Sequence, residues 1–190
     1  MENSKCEILF TSQNCVPKQG AQLPQFIGVD QFGDYVDLYD FANQDKLILI
    51  EISTIWAKPS SVMAEWLSGN SDSSIKEMRW WQDNFNLVKD LIDGDDIYYI
   101  RVLHQGAVKG DIITPDEVAY LHNAYPHKNI INIADPQAHL KTWVRPTGYP
   151  SLMLFNSDMT LHTPSEGNNG DAQRRRGLKA PFETVIDYVK

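Results

Sequence analysis

The spacing of hydrophobic and polar residues changes period several times along the chain, and each change marks an element. From Gln25 to Leu38 apolar and polar positions alternate around Asp30-Gln31-Phe32-Gly33, which predicts a β-hairpin whose Gly33 supplies a positive φ at the turn. The run Leu47-Ile48-Leu49-Ile50-Glu51-Ile52 is apolar on both faces and predicts a central strand over 46–54, covered by helices on each side. Pro59 suits the first turn of a helix, where its missing N–H costs nothing. Val62, Met63, Trp66 and Leu67 carry the buried stripe of that helix to a break at Ser68-Gly69-Asn70. Ile75, Met78, Trp80 or Trp81, Phe85, Val88 and Leu91 recur at helical spacing and predict a second helix over 74–92, stopped by Gly94.

The second half alternates in the same way. A strand is expected over 97–103, and Thr114-Pro115-Asp116-Glu117 forms a capping box that opens a helix lasting to about Tyr125. A third short strand over 129–134 leads to a helix opened by Asp135-Pro136 and lasting to about Trp143. A hairpin of 151–155 and 159–162 follows, and a closing helix over 181–189 buries Phe182, Val185, Ile186 and Val189. Strands separated by helices, with a late hairpin, predict an α/β three-layer sandwich: a mixed central sheet with helices on both faces. With 190 residues and 42% apolar composition the chain suits one core, so we expect an N-terminal arm over 1–20 and one domain over 21–190.

The formal net charge of −8 argues against broad binding to nucleic acid or anionic membrane, because both require a positive field. The local exception is Arg174-Arg175-Arg176, in a polar stretch that reads as a solvated loop. No run approaches the roughly 20 apolar residues of a membrane span. Met1-Glu2-Asn3-Ser4 is polar with no apolar run after it, so no signal peptide is expected in this chain. The two cysteines, Cys6 and Cys15, both fall in the arm. A disulfide between them would close a small loop and suit an oxidising compartment; free thiols in the arm, or one reactive sulfur, are the alternatives. The histidines His104, His122, His127, His139 and His162 are scattered without i, i+4 pairing, so neither a metal site nor another cofactor is expected.

Candidate chemistry concentrates in Ile52-Ser53-Thr54-Ile55-Trp56-Ala57-Lys58-Pro59-Ser60. This segment, the helix after it, and Gly148-Tyr149-Pro150-Ser151-Leu152-Met153-Leu154-Phe155-Asn156-Ser157-Asp158 resemble bacterial secreted thioredoxin-like proteins of the TlpA and redoxin (AhpC/TSA) type, over about 20–190. The resemblance implies a thioredoxin-like sandwich in which two redox cysteines would occupy positions 57 and 60. Here Ala57 and Ser60 stand there, so this segment cannot perform dithiol exchange as written. It also implies that Glu51, six residues before Ala57, is the buried acid beneath the redox pair, and that Pro150 is the cis-proline facing it. An acid in an apolar central strand should have a raised pKa unless a cation or donors meet it, and Lys58 or a nearby hydroxyl is a candidate partner.

Two functional readings follow. In one, the chain is a redox-inactive member of such a family that binds protein or peptide partners in a groove of Trp56, Pro59, Tyr149 and Pro150, the backbone of Tyr149 pairing with an extended segment. In the other it is a thiol-disulfide oxidoreductase in cysteine-less form, or one working through Cys6 and Cys15. The resemblance implies a periplasmic or extracellular location.

Overall fold

The computed structural model describes residues 17–70, 73–165 and 178–189. Its strands are β1 (Ile27–Asp30), β2 (Tyr35–Asp37), β3 (Ile48–Ser53), β4 (Tyr98–Leu103), β5 (Ile130–Ala134), β6 (Ser151–Phe155) and β7 (Leu161–Thr163). They form one mixed sheet in the order β2-β1-β5-β4-β3-β6-β7, with β3, β4 and β5 parallel and the other pairings antiparallel. The helices are α1 (Lys58–Leu67), α2 (Asn86–Asp93), α3 (Pro115–Ala124), α4 (His139–Val144) and α5 (Lys179–Tyr188).

The doubly apolar run in β3 is covered on both sides, as its pattern requires. Leu49 joins Met63, Leu67, Val88, Ile92, Phe182 and Ile186, which bed α1, α2 and α5 on one face. Ile48, Ile50 and Ile52 join Leu38, Leu140 and Val144 on the other, beneath α4. A smaller cluster of Leu103, Ile113, Val118, Leu121 and Ala134 beds α3. The architecture is the expected α/β sandwich, the hairpin turn carries Gly33 at φ +90, and the Thr114–Glu117 capping box opens α3. No helix among the described residues is long and apolar enough to cross a membrane.

Three expected elements differ. The single helix over 74–92 is replaced by 3-10 turns at Ser74–Glu77 and Asp83–Phe85, and only Asn86–Asp93 is α-helical. Met78 and Gln82 are extended between them, and the aromatic side chains reach the core through packing rather than helical phase. Trp81 sits edge-on to Trp66 at 4.9 Å and to Phe85 at 5.9 Å, and Phe85 to Phe182 at 5.2 Å. The helix expected from Asp135 starts at His139, because the Asp135 carboxylate accepts the N–H groups of His139 and Leu140 at 2.8 and 2.9 Å and holds the preceding residues in a turn. Val189 is 48% exposed just past the end of α5, so the buried stripe there is Pro181, Phe182, Val185 and Ile186. Cys6, Cys15 and Arg174-Arg175-Arg176 lie outside the described residues.

Candidate functional site

Parallel neighbours end at the same edge of a sheet, and ligands of open α/β sheets collect at the carboxyl ends of such strands. The chain leaves β3 into Trp56 and leaves β4 into His104 and Gln105, while antiparallel β6 begins at that edge just after Tyr149-Pro150. The ladder continues past the strands: the N–H groups of Ile55 and Trp56 donate to the carbonyls of Gln105 and Gly106, both at 3.1 Å. This fixes Trp56, whose indole Nε1 donates to Gln105 Oε1 at 2.7 Å.

A cleft of about 440 Å³ opens here. Its aromatic walls are Trp56 and Tyr149, edge-to-face with centroids 6.1 Å apart and planes at 84°. Ala57, Lys58 and Pro59 at the amino end of α1 also line it, with Gln105 and Lys109 from the loop after β4, Lys141 from α4, and the turn before Tyr149. The Tyr149–Pro150 peptide bond is cis; Pro150 itself is buried and, unlike Tyr149, does not line the cleft, so the expected groove loses that member. The Tyr149 hydroxyl meets Nε2 of buried His104 at 3.0 Å. Burial, and then the positive charge of Lys141, lower the His104 pKa to about 4, so the ring is neutral at physiological pH. Burial likewise raises the Tyr149 phenol.

Ala57 is the N-cap of α1 and Ser60 lies in its first turn; both are buried, at 6% and 4% exposure. Ala57 offers no side-chain cap, and the Ser60 Oγ is buried without a hydrogen-bond partner, as are Ser53 Oγ and Thr54 Oγ1. Glu51 is fully buried in β3, six residues before Ala57, and Lys58 is exposed and takes no part in its pairing. Its partner is Arg101, directly opposite on β4, whose Nε lies 2.9 Å from Glu51 Oε2. The Tyr99 hydroxyl donates to the same oxygen at 2.6 Å, and an Arg101 terminal nitrogen donates to Asn132 Oδ1 at 3.2 Å. Burial alone would lower the Arg101 pKa, but Glu51 and Tyr99 together outweigh it and raise it; burial and then Glu51 push the Tyr99 phenol well above its usual value.

Of the residues expected at the site from the sequence, Trp56, Ala57, Lys58, Pro59 and Tyr149 line the cleft, whereas Glu51, Ser60 and Pro150 do not. Gln105, Lys109 and Lys141 as lining residues, and His104 as the buried partner of Tyr149, were not expected. The available signal for His104 and Gln105 was their position just past a strand parallel to β3. Lys141 had none, because only the packing of α4 brings it to this edge. Among the described residues, no three metal-ligating side chains cluster.

No protein-family profile and no curated protein sequence matches the chain. Solved structures do match its fold. The thioredoxin domain of a thiol-disulfide oxidoreductase from Bacteroides vulgatus aligns with TM-score 0.53 and 15% identity over 91% of this chain and 99% of that one. A thiol peroxidase from Chromobacterium violaceum aligns with TM-score 0.55 and 14% identity over 93% and 88%. A thioredoxin-like protein from Bacteroides caccae aligns with TM-score 0.58 and 14% identity over 92% of this chain and 50% of that one. The chain therefore has a thioredoxin-like fold.

Proposed function

We propose that this chain is a redox-inactive thioredoxin-fold protein that binds a protein or peptide partner in the cleft between Trp56 and Tyr149. The observation that carries this reading is the pair of edge-to-face rings at 6.1 Å framing a cleft with no thiol at position 57 or 60. An aromatic-walled cleft offers apolar area to a ligand, and here both polar tips are already engaged, the Trp56 indole by Gln105 and the Tyr149 hydroxyl by His104. Glu51 supports the reading from below: its Oε2 is engaged by Arg101 and Tyr99, so the acid is committed to a structural ion pair. We place the protein in the periplasm or outside the cell, in keeping with the secreted proteins its sequence resembles.

The test has two parts. Purified protein with dithiothreitol is expected to reduce insulin no faster than dithiothreitol alone. Turnover above that background which disappears in Cys6→Ser/Cys15→Ser would favour an oxidoreductase working through the arm cysteines, and turnover that persists would overturn the reading altogether. Binding is read from the Trp56 indole N–H resonance, which should shift when extended peptides are added and stay fixed in Tyr149→Ala.

A further inference from the structure

We infer that the cleft selects an acidic extended segment, held by Lys58, Lys109 and Lys141 against the rings of Trp56 and Tyr149; the inference rests on the peptide-binding reading above and names the chemistry of its ligand. The three lysines come from three separate elements, the amino end of α1, the loop after β4, and α4, and the fold brings them to one cleft. Among the described residues no aspartate or glutamate lines it. This is unexpected in a chain of net charge −8, whose acidic residues outnumber its basic ones 25 to 17.

The lysines are not consumed elsewhere. Lys46, Lys89 and Lys179 each pair with a carboxylate, whereas among the described residues Lys58, Lys109 and Lys141 form no ion pair. Lys109 instead lies over the Trp56 ring, its Nζ 5.1 Å from the centroid, which leaves its N–H donors for a ligand while the ring holds its position. The charge of Lys141 also reaches buried His104, the partner of the Tyr149 hydroxyl, and after burial helps keep that ring neutral. Among the described residues no salt bridge joins the three lysines to Asp111 of the same loop, or to Glu117 in the first turn of α3, whose carboxylate accepts from the N–H groups of Ala107 and Thr114.

The same loop carries the complementary apolar surface. Val108 and Ile112 are 63% and 65% exposed, and Ile112 is bridged to Gln105, a residue of the cleft wall. An extended segment presents alternate side chains to opposite sides, so one with acidic residues at every second position would set its carboxylates on the lysines and its apolar side chains on the aromatic and loop surface. The overall negative charge repels acidic peptides in general, which makes any preference for them a local property of this cleft.

The experiment titrates three acetylated octapeptides into the full chain at about 0.15 M salt, where the Debye length is about 8 Å and the distant charge is screened. One alternates glutamate and valine, one glutamine and valine, one lysine and valine, and Kd is read from the Trp56 indole N–H resonance. The glutamate peptide is expected to bind about tenfold more tightly than the glutamine peptide, since three exposed charge pairs contribute a factor of roughly two to three each. Lys58→Gln/Lys109→Gln/Lys141→Gln should abolish that preference, so that the glutamate and glutamine peptides then bind alike. Equal binding of all three peptides, or a glutamate preference that survives the triple substitution, overturns the acidic selectivity and leaves peptide binding standing. No shift with any peptide overturns both.

Discussion

Arg101 Nε lies 2.9 Å from Glu51 Oε2 across the β3–β4 ladder, and neither side chain reaches solvent. A buried ion pair of this kind is a weak source of net stability but a strong constraint, because removing one partner leaves an uncompensated charge in the interior. Glu51→Leu and Arg101→Leu are each expected to lower the unfolding free energy by about 3–5 kcal/mol, and the double variant by much less than the sum. Urea titrations of the four proteins check this. Additive losses would show that Glu51 and Arg101 are not coupled.

His104 should make stability depend on acid. The unfolded chain protonates this ring near pH 6.5, but the folded chain only near pH 4, because burial and then Lys141 oppose the charge. Between those values the unfolded state binds more protons, so stability rises with pH across the window and the contribution is lost at pH 4 and below. At about 1.4 kcal/mol per unit the span is about 3 kcal/mol. Denaturant midpoints measured from pH 4 to 7 should show this slope, and His104→Gln should flatten it. An identical slope in both proteins would place its origin elsewhere.

The buried Ser60 hydroxyl has no partner, so its removal relieves desolvation and breaks no bond. Ser60→Ala is expected to be neutral or to stabilise the protein by up to about 1 kcal/mol. A loss of stability beyond about 1 kcal/mol would mean that the hydroxyl is satisfied in solution.

Positions 57 and 60 close one turn, with the Ser60 N–H donating to the Ala57 carbonyl at 2.9 Å. Ala57→Cys/Ser60→Cys should therefore form a disulfide, and the amino end of α1 together with Lys58 should favour a thiolate at 57. Alkylation before and after reduction detects the bridge, and insulin reduction above background detects exchange. A folded variant that alkylates fully without reductant would show that the site has lost more than its two thiols.

The local periodicities determined most of the elements. The doubly apolar run of β3 could be buried only in the middle of a sheet covered on both faces, the Thr114–Glu117 box opened α3, and Gly33 took the turn position that a side chain would strain. The groove between Trp56 and Tyr149 was legible only through the family resemblance of the two segments that carry them, not through local periodicity. The apolar spacing over 74–92 misled because aromatic side chains are long enough to reach one core from an irregular backbone, so the same pattern served two short turns and a short helix. Only the tertiary structure decided Glu51's partner. A buried acid demands a cation, but nothing local in the sequence says which one; strand register put Arg101 opposite it, 50 residues away, instead of neighbouring Lys58. The same holds for the cleft's charge: Lys58, Lys109 and Lys141 are far apart along the chain, and parallel strand ends and the packing of α4 bring them together.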